Sequence, residues 1–384
     1  MWNNFLIFLA KKNTILFAYI ISAIAASLSK YFSVTTQDYT NYNNFVIFKQ
    51  SFFHLLSHKN LYLSFPSEQM DLFKYSPTFA LFMGLFAWLP NCLGLILFNE
   101  INALLLFFGF WLIPLLSEKT KIFMLYFALF ELFSSMQNAQ TNAAMAGLIL
   151  LAFSALELKN IKIGTLCIAV TFFIKIFGIV AFALFFFSKE KIKFILWSIL
   201  WLSLLAFIPV FFIGFSQLIF QYQNWLELLK ADHDASFGLS VMGVFSKWFG
   251  LIFLKNTFVL LGAALFLLPF LRIKCYENFQ FRLLSLASIL LWIVIFNHRA
   301  ESPTFIIAIS GVAIWFFRMS QTRVNLILFI FAFLVTSVCT TDIVPVELKK
   351  DFYYPYLLKV VPCILIWCKI IYEQMTLKPT SVEY

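Results

Sequence analysis

Apolar runs separated by short polar loops recur along nearly the whole chain, and they limit its fold more than any other feature. A helix that crosses a bilayer without tilting needs about 20 mostly apolar residues. The chain is 62% hydrophobic and only 12% charged, whereas soluble domains carry about 25% charged residues. We therefore predict an all-α polytopic membrane protein whose residues 1–384 form a single integral membrane domain.

The apolar runs predict a bundle of about twelve transmembrane helices, several of them shorter than an untilted span. The first run, Ile15–Leu28, follows Lys11 and Lys12 and is predicted to be a signal anchor with its N-terminus in the cytoplasm. The later runs fall near residues 77–91, 93–116, 122–136, 142–157, 163–187, 194–214, 253–271, 283–297, 303–317, 324–340 and 356–372.

The formal net charge of +10 indicates the membrane topology of the chain rather than a nucleic-acid partner. Its basic residues lie mainly in short loops between apolar runs, as cytoplasmic loops of membrane proteins require. We accordingly predict no nucleic-acid partner. This arrangement places two long polar loops, 33–77 and 215–252, on the extracytoplasmic side of the membrane.

These two loops carry the first candidate site residues. Asp38 follows the first apolar run, Lys74 and Tyr75 precede the second, and His233 lies in the later loop. Apolar residues between Asn44 and Leu63 recur at helical spacing, which predicts an amphipathic helix in the membrane interface. A carboxylate and an ammonium delivered to the membrane surface by one loop are a plausible pair for catalysis.

Ionisable residues inside predicted spans are expensive and therefore suggest function. Lys175 lies in the middle of its run, and a functional and a structural role are equally open for it. Glu100 and Glu131 lie closer to span ends, where reaching the interface or pairing within the bundle is the simpler interpretation.

Two short polar turns supply the remaining candidates. Gln140 and Asn142 join two apolar runs, and their amides suit a sugar or a phosphate as well as a tight turn between helices. His298 and Arg299 form part of another short loop, and Arg offers a forked set of donors that suits phosphate oxygens.

The motifs that the sequence lacks narrow the choice of chemistry. It contains no Walker loop, no GxGxxG after a strand, no HExxH and no GxSxG. Its six cysteines have neither zinc nor redox spacing, and no acidic cluster of metal-ligand type appears. Nucleotide-driven pumping therefore has no support, and we predict no cofactor and no metal.

Several short patterns occur in a fixed order along the chain: Asp38-Tyr39, Tyr75-Ser76-Pro77 with Phe79, Leu89-Pro90, Asn138 to Asn142, Lys175, Ala235 to Gly238, and Arg299 to Pro303. Their order resembles the polyprenyl-phosphate-dependent glycosyltransferases of the GT-C membrane fold, and most closely family 87, a mannosyltransferase-like group. Three departures are visible: Ser76 stands where the family has a Pro, Asn138 stands at the Gly of the turn, and no Pro follows Lys175.

The resemblance implies that an external aspartate, here Asp38, acts as the general base. It would take a proton from an acceptor hydroxyl while the sugar leaves the lipid phosphate with inversion. Lys74, His298 and Arg299 are the candidates for stabilising the departing phosphate, and Lys175 is a further one. The implied partners are a polyprenyl-phosphate-linked hexose or pentose, a glycan or glycolipid acceptor, and the lipid bilayer of the cell inner membrane.

Two other functions remain open on the sequence. A transporter or flippase of lipid-linked glycans should place its charges near the midplane and often shows paired half-repeats, whereas this chain concentrates polar residues in two long loops. A polymerase or ligase of lipid-linked glycans also uses large external loops, usually rich in Arg and His, while the first loop here leads with Asp38.

Overall fold

A computed structural model describes residues 9–35, 39–318 and 322–379, and within these ranges the chain is helical and contains no β-strand. Helices are the expected result, because an apolar surrounding forces backbone groups to hydrogen-bond within their own segment. The α-helices are α1 (Lys12–Phe32), α2 (Asn43–Leu56), α3 (Pro77–Phe82), α4 (Gly84–Ala87), α5 (Asn91–Trp111), α6 (Glu118–Gln137), α7 (Asn142–Glu157), α8 (Ile161–Ile174), α9 (Lys191–Phe207), α10 (Val210–Ile213), α11 (Phe215–Ala235), α12 (Val241–Phe249), α13 (Lys255–Leu267), α14 (Phe279–Ile295), α15 (Phe305–Arg318), α16 (Arg323–Phe331), α17 (Val346–Leu348) and α18 (Val361–Thr376).

Short 3-10 and π-helical segments connect or extend these helices. Local polar residues set several helix starts: the side chains of Ser76, Asn160 and Asn278 accept hydrogen bonds from the first backbone N–H groups of α3, α8 and α14. The 3-10 segments are Ile176–Phe187, Ile252–Leu254, Leu268–Leu271, Ile273–Cys275, Ser302–Thr304, Val338–Thr340 and Leu358–Val360, and the π-helical ones are Ala332–Ser337 and Lys349–Tyr353.

Five helices in the described ranges are long and apolar enough to cross a membrane: Lys12–Phe32, Asn91–Trp111, Lys191–Ile213, Ile252–Leu271 and Arg323–Thr340. A sixth is added if Val346–Tyr353 and Leu358–Thr376, bent by 81° at their junction, count as one span. Other apolar helices have 10 to 17 residues, fewer than an untilted crossing needs. The chain is a membrane protein, and the count of about twelve spans remains a prediction.

The span Lys191–Ile213 exposes a large apolar surface that is suited to contact with lipid. Only 17% of its most apolar stretch is buried within the protein. Large apolar side chains, including Ile192, Leu196 and Ile199, are exposed along α9. A soluble protein rarely exposes so much contiguous apolar surface, so this helix is built to contact acyl chains.

The chain forms two compact units. The first comprises the described parts of residues 1–115, 132–182 and 190–235. In its core, α5 and α7 approach closely through Gly109 and Gly147. Two buried amides add hydrogen bonds across helices: Asn102 Oδ1 accepts from the N–H of Ala144 at 3.1 Å, and Asn99 Nδ2 donates to Ser27 Oγ at 2.9 Å.

The predicted amphipathic helix of the first polar loop is α2, which ends at Leu56 rather than Leu63. Its apolar stripe follows the spacing of a single helix face, but that face is buried against the protein. Phe48 makes an edge contact with Phe79, their ring centroids 5.3 Å apart, and Phe45 lies 5.9 Å from Phe98. Packing against α3 and α5, rather than lipid, therefore covers this face.

The second unit comprises residues 116–131, 183–189 and the described residues from 236 onward. Helices α14 and α15 form its core, and Gly311 lets α15 lie close to the carbonyl of Ala287. Helix α18 is joined to this pair by hydrogen bonds from Trp367 Nε1 to Ser288 Oγ at 3.0 Å and from Gln374 Nε2 to Ser285 Oγ at 2.8 Å.

The single span predicted over 163–187 is wrong in one respect, because the helix breaks at Lys175. Lys175 has extended backbone dihedrals of −140° and 130°, and a 3-10 helix follows it. At Gly178 a methyl group would lie 2.5 Å from the backbone of Thr171, so the chain folds back tightly onto α8. Periodicity cannot reveal such a break, since both halves are equally apolar.

The glycine contact in the first unit yields a test. A methyl group at Gly147 would lie 2.3 Å from the carbonyl carbon and oxygen of Leu105, which are backbone atoms that cannot rotate away. We expect Gly147→Ala to lower the free energy of unfolding by about 1–3 kcal/mol, seen as a lower melting temperature of the detergent-solubilised protein.

Gly94→Ala on α5 is the matched control. Its nearest obstacle is the end of the Phe45 ring, at 2.8 Å, which can shift, so a smaller loss is expected. Equal melting temperatures for wild type and Gly147→Ala would contradict the close helix contact.

Candidate active site

The two long polar loops meet within the first unit. Gln221 of α11 accepts from the N–H of Leu61 at 3.2 Å and donates to the carbonyl of Lys59 at 2.7 Å. One turn further on, Trp225 Nε1 donates to the carbonyl of Lys74 at 3.3 Å. Segments that the sequence predicted as two external loops are thus joined by hydrogen bonds.

Lys175 is the centre of a polar cluster in this unit. Its ammonium donates to Asn142 Oδ1 at 2.7 Å and lies 5.6 Å from the centroid of the Tyr75 ring, within cation–π range. Asn142 Nδ2 in turn donates to Gln140 Oε1 at 2.6 Å. Four of the predicted site residues are therefore brought together.

The surrounding fold fixes the positions of Tyr75 and Lys175. Ser76 Oγ caps the start of α3 and also donates to the carbonyl of Phe173 at the end of α8, at 2.5 Å. One hydroxyl thus holds the residue after Tyr75 beside the helix end that carries Lys175. The Tyr75 ring stacks on Phe79, with centroids 4.6 Å apart.

Tyr62 supports this cluster from the first loop. Its hydroxyl donates to the carbonyl of Tyr75 at 3.0 Å. Burial raises the pKa of Tyr62 well above its ordinary value, and the neighbouring Tyr222 adds to the shift. The phenol therefore stays protonated, and it keeps donating to Tyr75 across the physiological pH range.

The turn between α6 and α7 carries Gln140 and Asn142. Its left-handed residue is Ala139, with φ of +46°. This is one position after Asn138, which the motif resemblance placed at the glycine of the turn. Asn142 is fully buried, and the Asn138 carbonyl accepts from Asn44 Nδ2 at 2.8 Å. The turn is thereby attached to the start of α2 in the first polar loop.

Asp38 lies outside the described residues together with residues 36 and 37, but Thr35 and Tyr39, which flank this gap, are described. Thr35 Oγ1 donates to the carbonyl of Tyr39 at 2.8 Å, and Asn41 Nδ2 donates to Ser33 Oγ at 2.8 Å. The two ends of this segment are thus held together, and the Tyr39 hydroxyl donates to the carbonyl of Pro66 at 2.7 Å.

Two further candidates of the first unit have other surroundings. The Lys74 ammonium pairs with Asp71 at 3.0 Å, and both side chains are partly exposed. His233 is in the last turn of α11, eight residues beyond Trp225 and therefore about 12 Å further along the helix axis. Their roles in binding remain predictions.

His298 and Arg299 lie in the second unit, on the loop between α14 and α15. The carbonyl of His298 accepts from Ser236 Oγ at 2.7 Å, and the N–H of Arg299 donates to Asn297 Oδ1 at 2.8 Å. A methyl group at Gly238 would lie 2.6 Å from the His298 carbonyl oxygen. This loop and the 236–240 segment therefore touch through their backbones.

The sequence prediction missed Lys359, which forms a buried ion pair with Glu131 in the second unit. The Lys359 ammonium lies 3.0 Å from Glu131 Oε1, and each side chain is only 1% exposed. It also donates to Ser302 Oγ at 2.9 Å. The pairing expected for Glu131 is confirmed, and the signal for its partner was a lysine inside the predicted run 356–372.

No group of three or more His, Cys, Asp or Glu side chains among the described residues is arranged to hold a metal ion. The polar groups brought together around Lys175 include an ammonium, two amides and a phenol ring. Such groups bind anions and hydroxyl groups.

Comparison with known families decides the class of protein. The sequence profile of glycosyltransferase family 87 matches residues 73–297, which is more than half of the chain. The chain belongs to glycosyltransferase family 87. A comparison with curated proteins found no match.

Family 87 membership confirms the predicted family and makes this protein a membrane glycosyltransferase, with a sugar donor and an acceptor as its substrates. The matched range contains the whole Tyr75, Gln140, Asn142 and Lys175 cluster. Asp38 precedes the range, and His298 and Arg299 follow it directly.

The buried ion pair of the family 87 protein provides a stability test. Removing one partner leaves the other charge buried without compensation, which costs about 3–5 kcal/mol. We therefore expect Glu131→Gln to lower the melting temperature strongly in detergent. The double variant Glu131→Leu with Lys359→Met should recover most of the loss, because it buries no charge.

Lys189→Ala is the control within the same unit. Its ammonium pairs with Glu277 at 3.0 Å, but both side chains are mostly exposed, and such pairs contribute about 0–1 kcal/mol. A melting temperature of Glu131→Gln no lower than that of Lys189→Ala would show that the buried pair does not stabilise the unit.

Proposed function

We propose that this family 87 protein transfers a hexose or pentose, mannose-like in type, from a polyprenyl-phosphate to an acceptor on the extracytoplasmic face of the inner membrane. The acceptor is a glycan or a glycolipid. The observation that carries the proposal is the Lys175 ammonium, held by Asn142 and Tyr75 where the two polar loops meet. A lipid-linked donor suits a site on a protein whose apolar helices face acyl chains.

The proposed reaction is a single displacement. The acceptor hydroxyl oxygen attacks the anomeric carbon, the bond from that carbon to the phosphate oxygen breaks, and the configuration inverts. The electron pair of the broken bond leaves with the lipid phosphate, which gains negative charge. Fixed cationic and hydrogen-bonding groups stabilise that charge better than water does, because they need no reorganisation.

Lys175 is proposed to bind the departing phosphate. An ammonium offers three donors, and the bond to Asn142 fixes the direction of the side chain. Gln140 and Asn142 supply amides for the phosphate or the sugar, and the Tyr75 ring lies over the same ammonium. The half-buried position of Lys175 strengthens its attraction for an anion, since water screens it less.

Asp38 is proposed as the general base that takes the proton of the acceptor hydroxyl. The Asp38-Tyr39 pattern after the first apolar run, which the family resemblance singles out, supports this role. Lys74 and His233 from the two loops, and His298 and Arg299 from the second unit, are proposed as additional binding residues for phosphate or sugar.

We further propose that the chain adopts the GT-C arrangement with about twelve membrane-spanning segments. The six shorter apolar helices support this count, since tilting, local thinning of the bilayer and flanking residues allow short segments to cross. The two polar loops would then share the extracytoplasmic side on which the lipid-linked donor is presented.

The catalytic assignment is tested by Asp38→Asn in membranes that contain matched amounts of protein, with a panel of radiolabelled polyprenyl-phosphate sugars. Loss of a positioned general base should reduce transfer by at least about 100-fold. Asp351→Asn, an exposed carboxylate of the second unit, is the control and should retain transfer.

Undiminished transfer by Asp38→Asn would remove Asp38 from the chemistry while leaving the family assignment intact. If the wild type transfers no sugar from any donor in the panel but moves lipid-linked glycans across liposome membranes, the transferase proposal is wrong and a flippase replaces it.

The role of Lys175 is tested separately with Lys175→Met, which keeps the length of the side chain and removes its charge. Loss of a charge-assisted contact to the phosphate should lower kcat/KM by about 10- to 100-fold. Inhibition by added polyprenyl phosphate should weaken in parallel. Lys30→Met, at the end of α1, is the control, and equal inhibition constants for Lys175→Met and wild type would contradict phosphate binding.

A further inference from the structure

The second unit contains a cavity of about 590 Å³ whose wall is mostly apolar and carries a few polar side chains. Ligand pockets for small molecules measure about 300–1,000 Å³, so the volume fits one or two sugar rings. Three chain segments form the wall: the 237–247 segment, the 300–302 loop and Leu357 at the bend before α18.

Direct bonds between these segments fix the shape of the cavity. The N–H of Leu239 donates to the Ala300 carbonyl at 2.7 Å, and Trp248 Nε1 donates to the Tyr356 carbonyl at 2.8 Å. At Gly243 a methyl group would lie 2.3 Å from the carbonyl oxygen of Gly238. The cavity is therefore preformed, and a ligand would not have to order its wall.

Ser302 gives the cavity a directed hydrogen-bond donor. Its Oγ accepts from the buried Lys359 ammonium at 2.9 Å, so its own hydrogen must point elsewhere. Among the described residues this hydroxyl has no second partner. A hydroxyl that accepts from a cation is a stronger donor, and the Glu131 carboxylate keeps that cation in place.

The charges of the wall indicate a neutral ligand. Lys247 and Glu301 contribute one charge of each sign, and Ser246 adds a second hydroxyl. A phosphate would meet the Glu301 carboxylate as well as the ammonium, whereas sugar hydroxyls can donate to the carboxylate and accept from Ser302 and Lys247. The apolar side chains of Phe237 and Leu357 suit the C–H faces of a sugar ring.

We propose that this cavity binds a neutral saccharide, namely the glycan portion of the acceptor. Its identity as acceptor rests on the proposed transferase function, whereas the binding of a saccharide does not. Ser302 is a direct ligand, and Lys359 is a positioning residue that acts through Ser302.

The test measures binding without activity, by saturation-transfer difference NMR on the full-length protein in nanodiscs. The probes are methyl α-mannoside, methyl β-galactoside and methyl α-arabinofuranoside. We expect the wild type to bind at least one probe, Ser302→Ala to bind it about ten-fold more weakly, and Ser246→Phe to lose binding by filling the cavity. Ser246→Phe leaves the Lys359 ion pair untouched.

Ser310→Ala is the matched control, because the Ser310 hydroxyl is buried in α15 and bonded to the Ile306 carbonyl at 2.7 Å. It should bind like the wild type. Absence of signal for all three probes with the wild type, or equal affinities for wild type, Ser302→Ala and Ser246→Phe, would overturn the proposal. Displacement of the bound probe by millimolar inorganic phosphate would also overturn it, since the cavity would then be an anion site.

The Asp38→Asn variant separates this proposal from the proposed function. Saccharide binding that persists in Asp38→Asn while transfer is lost supports both proposals. Binding by a wild type that transfers no sugar would support the cavity site and count against the transferase.

Discussion

Burying charged and amide side chains away from water carries a large penalty in this protein, because an unpaired buried polar group costs several kcal/mol. Both units meet this constraint with bonds between distant parts of the chain. Lys359 neutralises Glu131 in the second unit, and Asn102 accepts a hydrogen bond from the Ala144 N–H near the start of α7 in the first. These polar contacts add to the glycine and aromatic contacts that join neighbouring helices in each unit.

The same constraint explains why Lys175 is informative. An ammonium in an apolar run is costly unless polar groups surround it. In the first unit, the Lys175 ammonium is the centre of a polar cluster with Asn142 and Tyr75. Lys359 also lies in a predicted apolar run, near its start, and it pairs with the buried Glu131 carboxylate. The two lysines of these apolar runs thus have different observed contacts, which the sequence alone does not distinguish.

Much of this architecture could be read from the sequence, because periodicity and local capping depend on near neighbours. The positions of the long helices and of the polar loops were predicted from such signals, and the family was predicted from the order of short motifs. The break at Lys175 was not, since it depends on Gly178 lying against Thr171. The partner of Glu131 could not be predicted from the sequence either, because it lies 228 residues away and no local pattern links the two residues. The apolar face of α2 is equally compatible with contact to lipid and with contact to protein. Its packing against Phe79 and Phe98 is visible only in the folded structure.

The position of Lys175 at the C-terminal end of α8 has an electrostatic consequence. The peptide dipoles of a helix add up to about half a negative charge at that end, so α8 partly compensates the ammonium. An anion beside Lys175 therefore meets less than a full positive charge. Under the proposed mechanism, the lipid phosphate is held while the sugar departs, but it dissociates more readily than it would from an isolated cation, which favours turnover.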